Sequence, residues 1–360
     1  MKKVRIGFLK LLPLFIAVAI AAGVTSCKKK SAPDKIYIGV SIASLENEYW
    51  ASLARGAELF AQSLPENTAE VVIMTAAEPD KQMANIESFI TKYGEAGIMF
   101  IDPMSGAITP AIAALCEDAK VYYVNYANKD DNLFPTDFQY FVAYETQDDE
   151  NSGYLAAKDL FNSIGGKGKV AELRGVLGND AARKRNAGFE KALKEFPEIE
   201  VLDAQVANYV SSEAFTITQQ WITRFGDSLA AIYCHNDDMA IGAAEALTQK
   251  DMNGKIKISG FDGTAAAFNA IKEGRMYSTI FNNGFLVGGY GAALAYSART
   301  GKIDTKTMDQ TKRMFYSRVS LVKSENVDDI INNYVKATPS FNFDDIDYAI
   351  AGIIPNPKLK

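Results

Sequence analysis

Apolar positions along this chain follow two alternating rhythms. Ile36–Ile42 is a short apolar run, and Trp50, Leu53, Ala57 and Phe60 then recur at helical spacing. Residues 71–74 read as a second strand, and Met83, Ile86, Phe89 and Ile90 as a second helical face. Gly97–Ile101 is an apolar run closed by Asp102-Pro103, which predicts a buried strand, and 121–124 is the next. The alternation restarts at Gly168. Strands are predicted at 169–174, 199–206, 229–233, 255–260 and 276–281, and helices at 181–195, 215–225, 239–248 and 265–273. Strands that alternate with helices of this length imply parallel sheets covered on both faces. The restart predicts two similar α/β, Rossmann-like lobes.

The first residues follow another pattern. Lys2, Lys3, Arg5 and Lys10 precede an apolar run from Leu11 to about Val24, and Val24-Thr25-Ser26-Cys27 closes it. Basic, then apolar, then small residues is the order of a secretory signal, and the run is short of the roughly 20 residues of a spanning helix. Cys27 in this setting resembles the bacterial lipobox, whose Cys is acylated, for instance with palmitate, and becomes the mature N-terminus. Residues 1–26 are then the signal and 27–34 a lipidated tether, at most about 25 Å long. The mature protein is placed in the cell envelope, facing the periplasm or the exterior, with the lipid as its membrane contact. ATP, nucleotide cofactors and nucleic acid are not expected as partners there. The net charge of −6 agrees, giving no electrostatic case for nucleic acid.

The chemistry is sought beyond the carboxyl ends of the strands, where parallel sheets bind ligands. Those positions hold Asn47, Tyr49 and Trp50; Asn125 and Tyr126; Asn179 with Arg185 beyond it; Tyr209; Asn236; Asp262; and Asn282. This inventory of rings, amides, one arginine and one carboxylate suits a sugar. Hydroxyls both donate and accept, and the C–H faces of a pyranose lie against aromatic rings. Asp237 and Asp238 sit where a helix begins and favour its positive end. Cys116 falls on a predicted helix and Cys234 at a predicted strand end, in different lobes, so both are expected as buried free thiols. The single histidine, His235, has no Cys or second His near it in sequence, so neither a metal site nor a histidine-activated nucleophile is expected. No cofactor motif is present. The cluster Gly165-Gly166-Lys167-Gly168 lacks the phosphate-binding pattern.

Three segments resemble the sugar-binding type I periplasmic binding proteins: Asn236-Asp237-Asp238-Met239-Ala240-Ile241-Gly242-Ala243; Gly260-Phe261-Asp262-Gly263-Thr264; and Ala181-Ala182-Arg183-Lys184-Arg185-Asn186-Ala187-Gly188-Phe189. The resemblance runs from about 35 to about 322 and is weakest at 127–140. It implies two lobes joined by crossover hinge strands, 35–145 plus 283–312 and 146–282 plus 313–360. It also implies a monomer that captures a monosaccharide and delivers it to an ABC permease. By the same resemblance Asn47 is a polar contact, Tyr49 and Trp50 pack on the sugar, and Arg185 bonds ring and hydroxyl oxygens. Tyr209 supplies another ring, Asn236 and Asp262 clasp hydroxyls, and Asn282 lies at the lobe crossover. Asn125-Tyr126 stands where ribose receptors have Asp-Arg, and Asn in the first of those positions favours a hexose-type site. The calcium loop of galactose receptors is missing at Gly165 to Lys169. The tail beyond about 324 lies outside the match and is expected as an extra helix on the second lobe.

A nucleoside or furanose-like signal would use the same groups, and the same lobes would serve to present a ligand to a membrane sensor. A glycosidase needs two carboxylates about a bond, and only Asp262 stands at a predicted strand end. Replacing Arg185 or Asp262 by Ala is expected to remove binding with little change in fold. Cys27→Ala is expected to leave the exported protein in the soluble fraction; a variant that is exported and still sediments with membranes contradicts the lipobox reading.

Overall fold

The structure, a computed structural model, describes residues 35–359. Cys27, the signal and the whole of the tether lie outside the described residues. The chain runs through β1 (Ile36–Ile42), α1 (Glu48–Ser63), β2 (Ala69–Thr75), α2 (Pro79–Tyr93), β3 (Gly97–Ile101), α3 (Thr109–Ala119), β4 (Tyr122–Tyr126) and β5 (Phe141–Thr146). It continues with α4 (Asp149–Ser163), β6 (Lys167–Arg174), α5 (Asp180–Leu193), β7 (Glu198–Val206), α6 (Ser211–Phe225), β8 (Leu229–Cys234), α7 (Asp237–Thr248), β9 (Lys257–Asp262), α8 (Ala265–Lys272) and β10 (Ser278–Asn282). Last come α9 (Gly284–Thr300), β11 (Met314–Ser317), β12 (Val319–Val322), α10 (Val327–Tyr334) and β13 (Ile350–Ile353).

Two sheets form, ordered β13-β11-β5-β4-β3-β1-β2 and β12-β10-β9-β8-β6-β7. Pairing is parallel except at the last strand of each sheet, where β13 runs against β11 and β12 against β10. Each sheet carries a hydrophobic core on both faces, as parallel strands covered by helices require. In the first lobe α1 packs closely on α9. A Cβ on Gly288 would stand 1.9 Å from the Leu53 carbonyl oxygen, so only glycine lets these helices touch. Cys116 and Cys234 are buried and free, one per lobe.

The expected lobe boundaries need two corrections. The chain crosses between sheets after β5, after β10, and again between β11 and β12, at Arg318 rather than at 312. The tail also divides. Val327 and Ile331 of α10 join the core of the second lobe, as the expected extra helix does. Beyond α10 the chain returns to the first lobe, where Phe343 packs edge-on to Phe60 and tilted against Tyr290, and β13 extends the first sheet. The physical reason is aromatic. Tyr290 on α9 and Phe60 on α1 offer a ring cluster that Phe341 and Phe343 complete.

Candidate ligand site between the lobes

The carboxyl ends of both sheets face one cavity, lined from both lobes. Its first-lobe wall holds Asn47, Tyr49, Trp50, Asp102, Met104, Tyr126 and Asn128. Its second-lobe wall holds Asp149, Asn179, Arg185, Tyr209, Asn236 and Asp262. Seven of the nine expected ligand residues line it.

Local backbone chemistry sets each group. Asn47, Asn179 and Asn236 are N-caps of α1, α5 and α7, their Oδ1 atoms accepting from Trp50, Ala182 and Met239 N–H groups. Capping fixes these amides at the helix starts, which are the mouths of the sheets. Asn236 Nδ2 makes no hydrogen bond among the described residues, whereas Asn47 donates across the cleft to Asp238 Oδ2 at 2.7 Å. Tyr209 sits in the left-handed region at φ 62°, after Asn208 at φ 51°, and its hydroxyl donates to Asn179 Oδ1. Its ring lies over Gly175, where a Cβ would stand 2.1 Å from Tyr209 Cζ, so Gly175 makes room for the ring.

Arg185 organises the second-lobe wall. Nε donates to Asp149 Oδ1 at 2.9 Å, Nη1 donates to the His235 carbonyl, and the guanidinium lies 4.7 Å from the centre of the Phe261 ring. Burial opposes its charge, but Asp149 and Asp262 outweigh that and hold it protonated. His235 is structural. Nδ1 accepts from Gly175 N–H, so Nε2 carries the proton and donates to Glu172 at 2.8 Å. Burial lowers the pKa of this ring and keeps it neutral. Asp237 does not face the ligand either. It accepts from Gly263 N, Thr264 N and Thr279 Oγ1, fixing the loop that follows Asp262.

Asp262 is held at φ 110°, a conformation that costs an L residue about 1–3 kcal/mol. Its carboxylate accepts no hydrogen bond among the described residues, and Arg185 Nη1 stands 3.8 Å away. Burial pushes this carboxyl well up, with Arg185 pulling against it. A strained carboxylate at a cavity wall, with no hydrogen-bond donor among the described residues, leaves its acceptor sites open to the cavity.

Two expected ligand residues are placed elsewhere. Asn125 is fully buried, and its Nδ2 donates to the Asn128 carbonyl. Side chains alternate along β4, so the neighbour Tyr126 takes the cavity position. Asn282 lies behind the wall and donates to the hydroxyls of Tyr49 (2.6 Å) and Tyr126 (2.8 Å), which are 2.5 Å apart. From the second-lobe end of a crossover it therefore positions two first-lobe rings. The expectation that Asp262 is the sole carboxylate at a strand end is also overturned. Asp102 follows β3 and accepts from Trp50 Nε1, and Asp149 follows β5. Asp102 was visible in the sequence as the residue that closes an apolar run before Pro103. Asp149 required β5 to be read as a strand.

The lobes meet at both lips of the cavity. On one side Glu48 accepts from Ala265 N at 2.6 Å, at the start of α8, beside the Asn47–Asp238 bond. On the other, Asn128 Oδ1 accepts from Asp180 N (3.1 Å) and Asn179 Nδ2 (3.3 Å). This is the closed form of a two-lobed clamp.

Comparison with known proteins agrees with this architecture. The model of the periplasmic binding protein domain matches residues 38–303. The ribose import binding protein RbsB of Haemophilus influenzae is 31% identical over 300 residues, spanning 82% of this chain and 96% of that protein. A twin-arginine translocation pathway signal protein from Burkholderia phytofirmans superimposes with a TM-score of 0.85 at 33% identity, covering 89% of this chain and 99% of that one. An ABC transporter periplasmic solute-binding protein from Actinobacillus succinogenes, with bound D-allose, gives 0.71 at 26% identity, covering 82% and 100%. The Haemophilus and Actinobacillus proteins are named as binding proteins, and the matched family is a solute-binding family, not a catalytic one. With a family match over most of its length and a cavity where two lobes close, the chain belongs to the periplasmic binding protein family.

Proposed function

We propose that the protein captures a monosaccharide or related polyol outside the cytoplasm and delivers it to an ABC importer. The observation that carries this reading is the pairing of aromatic rings with polar groups that lack a full set of protein partners among the described residues, in one interlobe cavity. Trp50, Tyr49, Tyr126 and Tyr209 offer apolar faces, while Asp262, the Nδ2 of Asn236 and the remaining nitrogen of Arg185 offer hydrogen bonds. A micromolar ligand needs about 8 kcal/mol, which a few charge-assisted bonds and ring contacts supply. The relatives are named for ribose import and shown with bound D-allose, which supports the substrate class. The ligand bridges the two walls, favours the closed clamp, and gives the permease a distinct surface to recognise. Acylation at Cys27 would hold a monomeric clamp near that permease. Among the described residues no helix is long and apolar enough to cross a membrane.

A thermal-shift screen of the purified protein against free pentoses, hexoses and polyols is expected to show a clear rise in Tm for at least one, with 1:1 stoichiometry by calorimetry. A rise only with nucleosides would favour that alternative ligand, and a silent panel would contradict the reading. The mutational expectation is sharper than the sequence alone allowed. Asp262→Ala removes an unsatisfied buried carboxylate and should abolish binding at little cost in stability. Arg185→Ala strands buried Asp149, and should cost about 3 kcal/mol in denaturant unfolding as well as binding. Equal stability of the two variants would refute the structural role of Arg185.

A further inference from the structure

The two walls of the cavity differ in what they leave open. On the first lobe the polar groups are largely taken up by the protein itself. Asn47 caps α1 with Oδ1 and gives Nδ2 to Asp238. Asn128 Nδ2 donates to the Pro103 carbonyl at 2.7 Å, and its Oδ1 accepts from Asp180 N and Asn179 Nδ2. The hydroxyls of Tyr49 and Tyr126 bond to each other and accept from Asn282 behind the wall. The main chain is engaged as well. Met104 N–H donates to Gln82 Oε1 at 2.8 Å and Ala127 N–H to the Glu145 carbonyl at 3.0 Å. The Ala127 and Asn128 carbonyls accept from the Tyr144 hydroxyl and from Asn125 Nδ2. Two open groups remain among the side chains of this wall: one oxygen of Asp102, whose other oxygen takes Trp50 Nε1, and one hydrogen of the tyrosine pair at the rear. The rest is carbon, from Trp50, Tyr49, Tyr126, Pro103, Met104 and Ala127.

The second lobe is the reverse. Asp262 accepts no hydrogen bond among the described residues, and Asn236 Nδ2 makes none. Arg185 keeps Nη2 after Nε has served Asp149 and Nη1 the His235 carbonyl. At the first crossover Gln147 lines the same cavity, and its Oε1 is buried without a partner among the described residues. A hydroxyl that enters the cavity gives up its bonds to water. Against the second lobe it finds replacements; against the carbon surface around Met104 it finds none, and the loss stands uncompensated. Stacking on Trp50 does not decide the matter, because every pyranose has C–H faces. The edge decides it. The hydroxyls of an ordinary sugar radiate from its edge in all directions, and the stretch formed by Pro103, Met104 and Ala127 offers them no open partner. A methyl group placed there is buried against apolar atoms instead.

We propose that the ligand is a methyl-terminated deoxy sugar, a 6-deoxyhexose or a 5-deoxypentose, with its hydroxylated edge on Asp262, Asn236 and Arg185 and its methyl group against Met104. The inference rests on the polyol reading above and names its substrate class. The test compares parent and deoxy sugars in pairs: D-galactose with D-fucose, L-galactose with L-fucose, L-mannose with L-rhamnose, D-glucose with 6-deoxy-D-glucose, and D-ribose with 5-deoxy-D-ribose. Calorimetry on the purified protein is expected to show the deoxy member binding about tenfold tighter or more in at least one pair, an apolar pocket rejecting an added hydroxyl by up to about a hundredfold. Met104→Gln puts an amide on that edge at nearly the same volume, and should cut the ratio about fivefold or more, chiefly by strengthening the parent. Parents that bind as tightly as their deoxy forms in every pair overturn the inference and leave the polyol reading standing. A ratio unchanged in Met104→Gln overturns it too, because the methyl group then lies elsewhere. If no member of any pair binds, the polyol reading fails and the inference falls with it.

Discussion

Arg185 is 5% exposed, and the second-lobe half of the site is assembled around its guanidinium. It reaches Asp149 at the start of α4, the His235 carbonyl at the end of β8, and the ring of Phe261 on β9. Asp149 lies just past the first crossover, so the same contact ties that wall to a hinge strand. Such a buried charge holds only because each of its neighbours is fixed in turn. Helix α5 presents Arg185 from its second turn, and packing of α4 on α5 depends on glycine. A Cβ on Gly153 would meet the Arg185 carbonyl at 2.6 Å. The binding wall and the packing of the lobe are therefore one structure, and a change at Arg185 disturbs both.

Closure is distributed differently. The lips carry exposed or half-buried bonds, Glu48 to α8 and Asn47 to Asp238 on one side, Asn128 to Asp180 on the other. Each such bond in contact with water contributes modestly, so the open and closed forms lie within reach of a ligand's differential affinity. Behind the cavity, Asn282 bonds the two tyrosine hydroxyls and accepts from Ser317, which stands beside another crossover. The hinge thus reports directly to Tyr49 and Tyr126, the rings that the ligand meets.

Much of this was legible in the residues. The alternating periods revealed nine of the thirteen strands and both lobes, because buried parallel strands are apolar runs bounded by turns. Positions after strands revealed Arg185, Tyr209, Asn236 and Asp262, because topology places those positions at the mouth. What escaped depended on three-dimensional facts. Strand alternation puts Tyr126 rather than Asn125 in the cavity, and the offset of one residue cannot be fixed without the pleat. Asn282 was identified as a crossover residue, but its role is to orient other side chains. Asp102 looked like the end of a strand, since a single carboxylate before proline reads as a turn residue. The return of the tail to the first lobe rests on Phe341 and Phe343 meeting Tyr290, a contact between distant segments that no local period records.

The account stands on one claim, that a polyhydroxylated solute sits between the lobes, on Trp50, within reach of Arg185 and Asp262. A crystal structure of the protein with its tightest-binding polyol tests it directly. The account predicts the closed clamp found here, with ring or chain carbons of the ligand against Trp50 and at least one hydroxyl on Asp262. A ligand seated outside this cavity, or one that leaves Asp262 and Arg185 untouched, would contradict it.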